Sequence, residues 1–236
     1  TFPHYFLHWL LHFNIMDRMS LTLFFLIALF SCAEPKSKVP VINIAQEVKG
    51  QIEINYDSTK WTELTAENGY VIDIRYATTN NFVKTAMYPC ARFFLRPEVA
   101  LALNRVRDKV KKESCRLKLF DGYRPRPVQY KLWAKVPNPD YVTNPAKGSM
   151  HNRGLAIDLT LADMYGAELD LGTPYDFFGP EAHQDYTNLS PQVLSRRKLL
   201  KDAMEAEGFK AIRTEWWHFF YTKASYPLDD WQWPCP

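Results

Sequence analysis

Several signatures are missing from the 236 residues, and each absence closes off a class of function. There is no Gly-rich phosphate loop, so nucleotide chemistry of that type has no cradle. There is no CxxC pair and no Cys-His spacing, so a cysteine-based zinc site is excluded. The helical HExxH motif of many zinc peptidases is also absent. No internal repeat and no low-complexity tract occurs, which rules out solenoid architectures. A net charge of +3 gives no reason to expect a nucleic-acid partner. No apolar run reaches the roughly 20 residues of a confident membrane span.

What is present suits one globular domain with a real core. The chain is 47% hydrophobic and 23% charged, which argues against disorder. Aromatics make up 15%, enough for either a thick aromatic core or a pocketed enzyme. The longest apolar stretch, Leu21 to Phe30, has the length of a signal-peptide core. It ends in "LFSC" and turns polar after Cys32, as a bacterial lipoprotein signal does, although Phe30 is bulkier than usual. The expectation is an envelope or periplasmic lipoprotein tethered through a lipidated Cys32. An ordinary secretory signal, a short anchor or a cytoplasmic protein are the alternatives. Met16 and Met19 stand just ahead of the apolar run, so an over-extended start is expected. The expected organisation is residues 1–31 as upstream extension and signal, 32–60 as tether and N-terminal arm, and 61–236 as the catalytic domain. Cys90, Cys115 and Cys235 then remain, allowing at most one disulfide, with each read as a buried structural cysteine.

Local pattern predicts a strand over Tyr70–Thr78, where apolar and polar residues alternate. Val99, Leu103, Val106 and Val110 recur at helical spacing behind Pro97. Arg116–Pro125 reads as a strand entering a turn, and "RPVQYKLWAKV" as a short helix. "GLAIDLTLAD" reads as a strand, Pro191–Glu207 as a helix capped by Gly208, and Glu215–Thr222 as an aromatic strand. Helices and strands mix without a βαβ rhythm. The fold class expected is therefore α+β, a central antiparallel sheet flanked by helices.

Three stretches carry chemistry. In "SMHNRGLAIDLTL", His151 and Asp158 are standard zinc ligand types, though a surface His followed by an Asp is common. "EWWHF" adds His218, which alone would pass for a satisfied core histidine. Together the three make a set with an open fourth position, the pattern of a catalytic zinc. Glu215, three residues before His218, is then the candidate general base. In "DGYRP", Arg124 is either a surface ion-pair partner or a fixed cation for a developing oxyanion.

These stretches, together with "IRYATTNNF" (Ile74–Phe82) and "GTPYDFF" (Gly172–Phe178), resemble the D-alanyl-D-alanine dipeptidases, the VanX-like zinc peptidases. The resemblance covers roughly residues 60–225. It implies a Hedgehog/DD-peptidase-like zinc peptidase fold and one Zn2+ per chain on His151, Asp158 and His218. It implies Glu215 as catalytic base and Arg124 as the transition-state arginine. Ser149 matches a serine that binds the substrate carboxylate, and Tyr76 and Asp176 match residues near the substrate's amino end. Ser149 as a loop hydroxyl, Tyr76 as a strand-edge aromatic and Asp176 as a turn former are the plainer readings. The expected substrate is the small dipeptide D-Ala-D-Ala. Its rivals are a carboxypeptidase or endopeptidase acting on longer wall peptides, and a peptidoglycan-binding zinc module without turnover.

Overall fold

The computed structural model describes residues 55–139 and 141–236. The apolar run at 21–30, Cys32 and the tether up to residue 54 lie outside the described residues. Among the described residues, seven strands and three α-helices are formed. In chain order they are β1 (Thr62–Leu64), β2 (Val71–Ile72), β3 (Phe93–Leu95), α1 (Pro97–Lys112), β4 (Arg116–Asp121), α2 (Arg126–Lys135), β5 (Ala156–Ala162), α3 (Pro191–Glu205), β6 (Phe209–Ile212) and β7 (Glu215–Tyr221). Strands β1 and β3 form a small ribbon, and the main sheet runs β2-β4-β5-β7-β6. The main sheet is antiparallel except at its edge, where two residues of β2 lie parallel to β4.

The helices form where their patterns put them. Pro97 opens α1, and Val99, Leu103, Val106 and Val110 are all buried. Helix α3 starts at Pro191, with the Ser190 hydroxyl accepting from the Val193 N–H. It ends two residues earlier than the pattern suggested, and Gly208 follows with φ +93°. Helices α1 and α3 pack on each other and against the sheet. Ile157, Leu159 and Leu161 join the hydrophobic core, so Asp158, between two of them, points to the opposite face.

One predicted element is corrected. Tyr70–Thr78 is not a single strand: only Val71 and Ile72 pair, and Arg75–Ala77 is a 3-10 turn. The carbonyls that a strand would need are taken elsewhere. The Asn81 side-chain amide donates to the Arg75 and Thr78 carbonyls, and the Met87 and Tyr88 N–H groups both donate to the Tyr76 carbonyl. The turn lifts Tyr76 out of the ladder and buries it.

The C-terminal segment after β7 straps the molecule. Trp231 stacks on Trp61 at 5.2 Å and meets Phe94 edge-on at 5.0 Å. The Tyr123 hydroxyl donates to the Trp231 carbonyl, and the buried Arg96 pairs with Asp229 at 2.9 Å. The Arg96 guanidinium also lies 3.8 Å above the Trp61 ring. Gly148 sits under the strap at φ +74°, where a Cβ would meet the Leu228 side chain at 2.2 Å. Cys90 and Cys235 form a disulfide across 145 residues, and Cys115 is a free, half-buried thiol. The one disulfide that the three cysteines allow is thus a covalent tie for the strap.

The loop closed by that tie is long, so its loss should be felt in the unfolded chain. Cys235→Ser should lower unfolding stability by about 2–4 kcal/mol. Urea melts with and without reductant check this: the wild type in reductant should match the variant, and Cys115→Ser should not shift.

Candidate active site

Asp158 and His218 face each other directly across the β5–β7 ladder, so their side chains leave the same face of the sheet. His151 reaches them from a 3-10 turn at His151–Arg153, just ahead of β5. Its Nε2 lies 3.4 Å from Asp158 Oδ1 and 3.3 Å from His218 Nδ1, and His218 Nδ1 lies 2.9 Å from Asp158 Oδ1. Among the described residues, these three form a cluster able to hold a metal ion.

The donor set fits zinc on its own chemistry. Two ligand atoms about 2.0–2.1 Å from one ion at tetrahedral angles stand about 3.3–3.4 Å apart, close to the spacings seen here. The neighbouring bonds leave the right lone pairs free. His151 Nδ1 lies 2.7 Å from the Gly122 carbonyl, which can only accept, so Nδ1 carries the proton and Nε2 is bare. The Tyr175 hydroxyl donates to Asp158 Oδ2 at 2.9 Å, leaving Oδ1 turned to the histidines. Burial opposes the charge on Asp158, but the two imidazoles outweigh it and hold its carboxyl well below the usual range.

Glu215 should not be here by simple alternation. Three residues before His218, it would leave a regular strand on the other face. A register shift between Ala211 and Ile212 re-aims the chain, and Glu215 Oε2 comes within 3.8 Å of His218 Nδ1. Burial raises its carboxyl above the usual range, the His218 charge opposing and the Asp158 charge adding to the rise. A second irregularity, between Leu119 and Asp121, places Asp121 opposite Asp158.

Asp121 is one of two residues that sequence reasoning missed. It is buried, and it fixes Arg124 through bonds from Nε (3.0 Å) and Nη2 (2.6 Å). Its other oxygen accepts from the Tyr88 hydroxyl and the Gly122 N–H. Gln129 of α2 accepts from Arg124 Nη1 at 2.9 Å. Of the five guanidinium N–H groups, two are left without these bonds. Arg124 is therefore no surface ion-pair partner; it is buried and lines the cavity above the three ligands. The signal for Asp121 was in "DGYRP" itself, as a carboxylate three residues ahead of an arginine. Tyr175, likewise inside "GTPYDFF", was passed over.

The cavity holds about 300 Å³, the small end of the usual range for ligand sites. Ser149, Tyr76 and Asp176 all line it. The Ser149 hydroxyl accepts from the His151 N–H at 3.2 Å, which leaves its own proton to donate. Tyr76 and Asp176 meet at 3.4 Å, and Asp176 sits at φ +60°, a left-handed position that few residues other than Gly, Asn and Asp adopt. Burial, then the Asp158 charge, push the Asp176 carboxyl well above the usual range, with Arg124 opposing. Arg153 is turned away, donating to the Tyr226 carbonyl.

A family model described as D-ala-D-ala dipeptidase matches residues 61–233. The D-alanyl-D-alanine dipeptidase of Escherichia coli (strain K12) is 37% identical over 165 residues, covering 70% of this chain and 86% of that protein. The D-alanyl-D-alanine dipeptidase of Enterococcus faecium is 31% identical over 176 residues, covering 66% of this chain and 87% of its own length. Among solved structures, the LdcB LD-carboxypeptidase overlaps loosely, with a TM-score of 0.38 and 22% identity over 71% of this chain and 70% of its own. The match spans nearly all the described residues and takes in each of the side chains gathered around the cavity: the chain belongs to the D-Ala-D-Ala dipeptidase family.

Proposed function

We propose that this protein is a zinc-dependent dipeptidase that hydrolyses D-Ala-D-Ala to two D-alanines. The observation that carries the reading is the convergence of three correctly spaced donor atoms, with Glu215 beside them, in a cavity of about 300 Å³. One zinc ion per chain, held by His151, Asp158 and His218, would supply a Lewis acid for the peptide carbonyl and a water whose pKa is lowered to about 7.

The chain's own residues do the rest. Glu215, its carboxyl raised by burial, takes a proton from the attacking water and returns it to the leaving nitrogen. Arg124, held by Asp121 and Gln129, turns its two remaining N–H groups to the charge that develops on the carbonyl oxygen. Because those bonds exist before substrate arrives, the arginine needs no reorganisation during the reaction. The Ser149 hydroxyl donates to the substrate carboxylate. Asp176 and Tyr76 take the ammonium end. A dipeptide carries charge at both ends, and a small cavity with one fitting at each end measures its length.

We also propose that the chain is exported and tethered at Cys32. Two features support this: the apolar run ending in "LFSC", and the Cys90–Cys235 disulfide, a bond that persists in oxidising compartments.

Three tests follow. Chelation should abolish D-Ala-D-Ala hydrolysis and added zinc restore it. Glu215→Gln should cut kcat by about 10²–10⁴-fold while zinc content by atomic absorption stays at one per chain. His218→Ala should lose the metal; full activity in metal-free protein would sink the reading. Arg124→Lys keeps the charge but loses the fork, and should lower kcat by about 10²–10³-fold with zinc retained. Finally, cells fed labelled fatty acid should label the wild type and not Cys32→Ser; a soluble, unlabelled wild type rejects the tether.

A further inference from the structure

Two clefts meet at Glu215. One is the catalytic cavity. The other, of about 480 Å³, is lined by Phe177, Pro180, His183, Arg213 and Thr214. Tyr141, Phe178 and Glu215 border both. The two rings stand between the clefts, with centroids 4.3 Å apart and planes tilted by 33°.

The pair is built as a wall. Phe178 meets Phe82 edge-on at 5.1 Å, and Phe82 meets Tyr76 edge-on at 6.3 Å. A row of rings thus runs from the buried Tyr76 out to the surface. At its outer end Tyr141 is 44% and Phe178 36% exposed, so neither serves mainly to fill the core. Their exposure is a cost to solubility that packing alone does not explain. The wall also stands at a particular end of the site. Phe178 is two residues after Asp176, which faces Tyr76, so it closes the side proposed for the substrate's ammonium group.

We propose that the Tyr141–Phe178 pair is the partition that limits the substrate to two residues, and that the 480 Å³ cleft behind it is where an added amino-side residue would lie. This rests on the dipeptidase reading and names the residues that impose its length limit. Charge alone does not impose it: a peptide extended at its amino end lacks the ammonium group at Asp176, but it still presents the same scissile bond, carbonyl and carboxylate. The rings add a steric block to that lost charge contact. Beyond them the cleft has room for another residue, and Arg213 in its lining is exposed and lies 3.8 Å from Asp185.

The test compares kcat/KM for D-Ala-D-Ala and for a tripeptide with one residue added at its amino end, in the wild type, Tyr141→Ala, Phe178→Ala and Phe178→Tyr. The ratio of tripeptide to dipeptide should rise about tenfold or more in each alanine variant, the size of a removed apolar contact. It should stay at the wild-type value in Phe178→Tyr, which keeps the ring. An unchanged ratio in both alanine variants that still cut the dipeptide overturns the partition while leaving the dipeptidase reading intact. Alanine variants that cut neither peptide also count against it, since exposed rings are not needed for folding. A wild type that leaves D-Ala-D-Ala uncut removes the dipeptidase reading and the partition with it.

Discussion

The direct pairing of Asp158 with His218 across the β5–β7 ladder is the constraint on which the site hangs. Side chains alternate along a strand, so a slip of one residue would turn Asp158 into the apolar core among Ile157 and Leu159. The hydrophobic residues on the other face forbid that slip. The core therefore fixes the geometry of the candidate metal site, although it lies on the opposite side of the sheet. Two irregularities then adapt the regular ladder to the chemistry. One, in β4, brings Asp121 to the face of Asp158; the other, between β6 and β7, returns Glu215 to the face of His218.

Asp158, His151 and Arg124 are each held by atoms that leave the rest of the group free for the site. Asp158 is gripped at Oδ2 by Tyr175, His151 at Nδ1 by the Gly122 carbonyl, and Arg124 by Asp121 and Gln129. Asp121 is itself fixed by Tyr88. Buried charges of this kind are expensive when unpaired, and here each is tied into a bonded neighbour. The same bonds preset the geometry, which is how a site stabilises a developing charge without rearranging. Gly122 bonds both Asp121 and His151, and Asp121 holds Arg124, so the "DGYRP" turn links the arginine to His151.

Much of this could be read in the chain. The helical spacing of Val99, Leu103, Val106 and Val110 places α1, because burial of one face leaves a periodic trace. His151, Asp158, His218, Glu215, Arg124, Ser149, Tyr76 and Asp176 all line one cavity. Other features left no local trace. The parity of Glu215 against His218 depends on a bulge, which two neighbouring strands decide together. Tyr70–Thr78 alternates like a strand, but Asn81, Met87 and Tyr88 take its carbonyls, and that competition is tertiary. The pairing of Cys90 with Cys235 likewise depends on where the strap finishes, and no spacing encodes it. Asp121 and Tyr175 lay inside stretches already notable for other residues, and their partners are far away in sequence.

The strap sets an order of events for the growing chain. Asp229 accepts from Arg126 and donates to the Asn152 carbonyl, joining the turn of Arg124 to the turn of His151, and Trp231 closes over Trp61 and Tyr123. These groups follow His218 in the chain, yet they brace residues made about a hundred positions earlier. A chain still leaving the ribosome thus carries every candidate site residue before it has the clamp that braces the turns of Arg124 and His151.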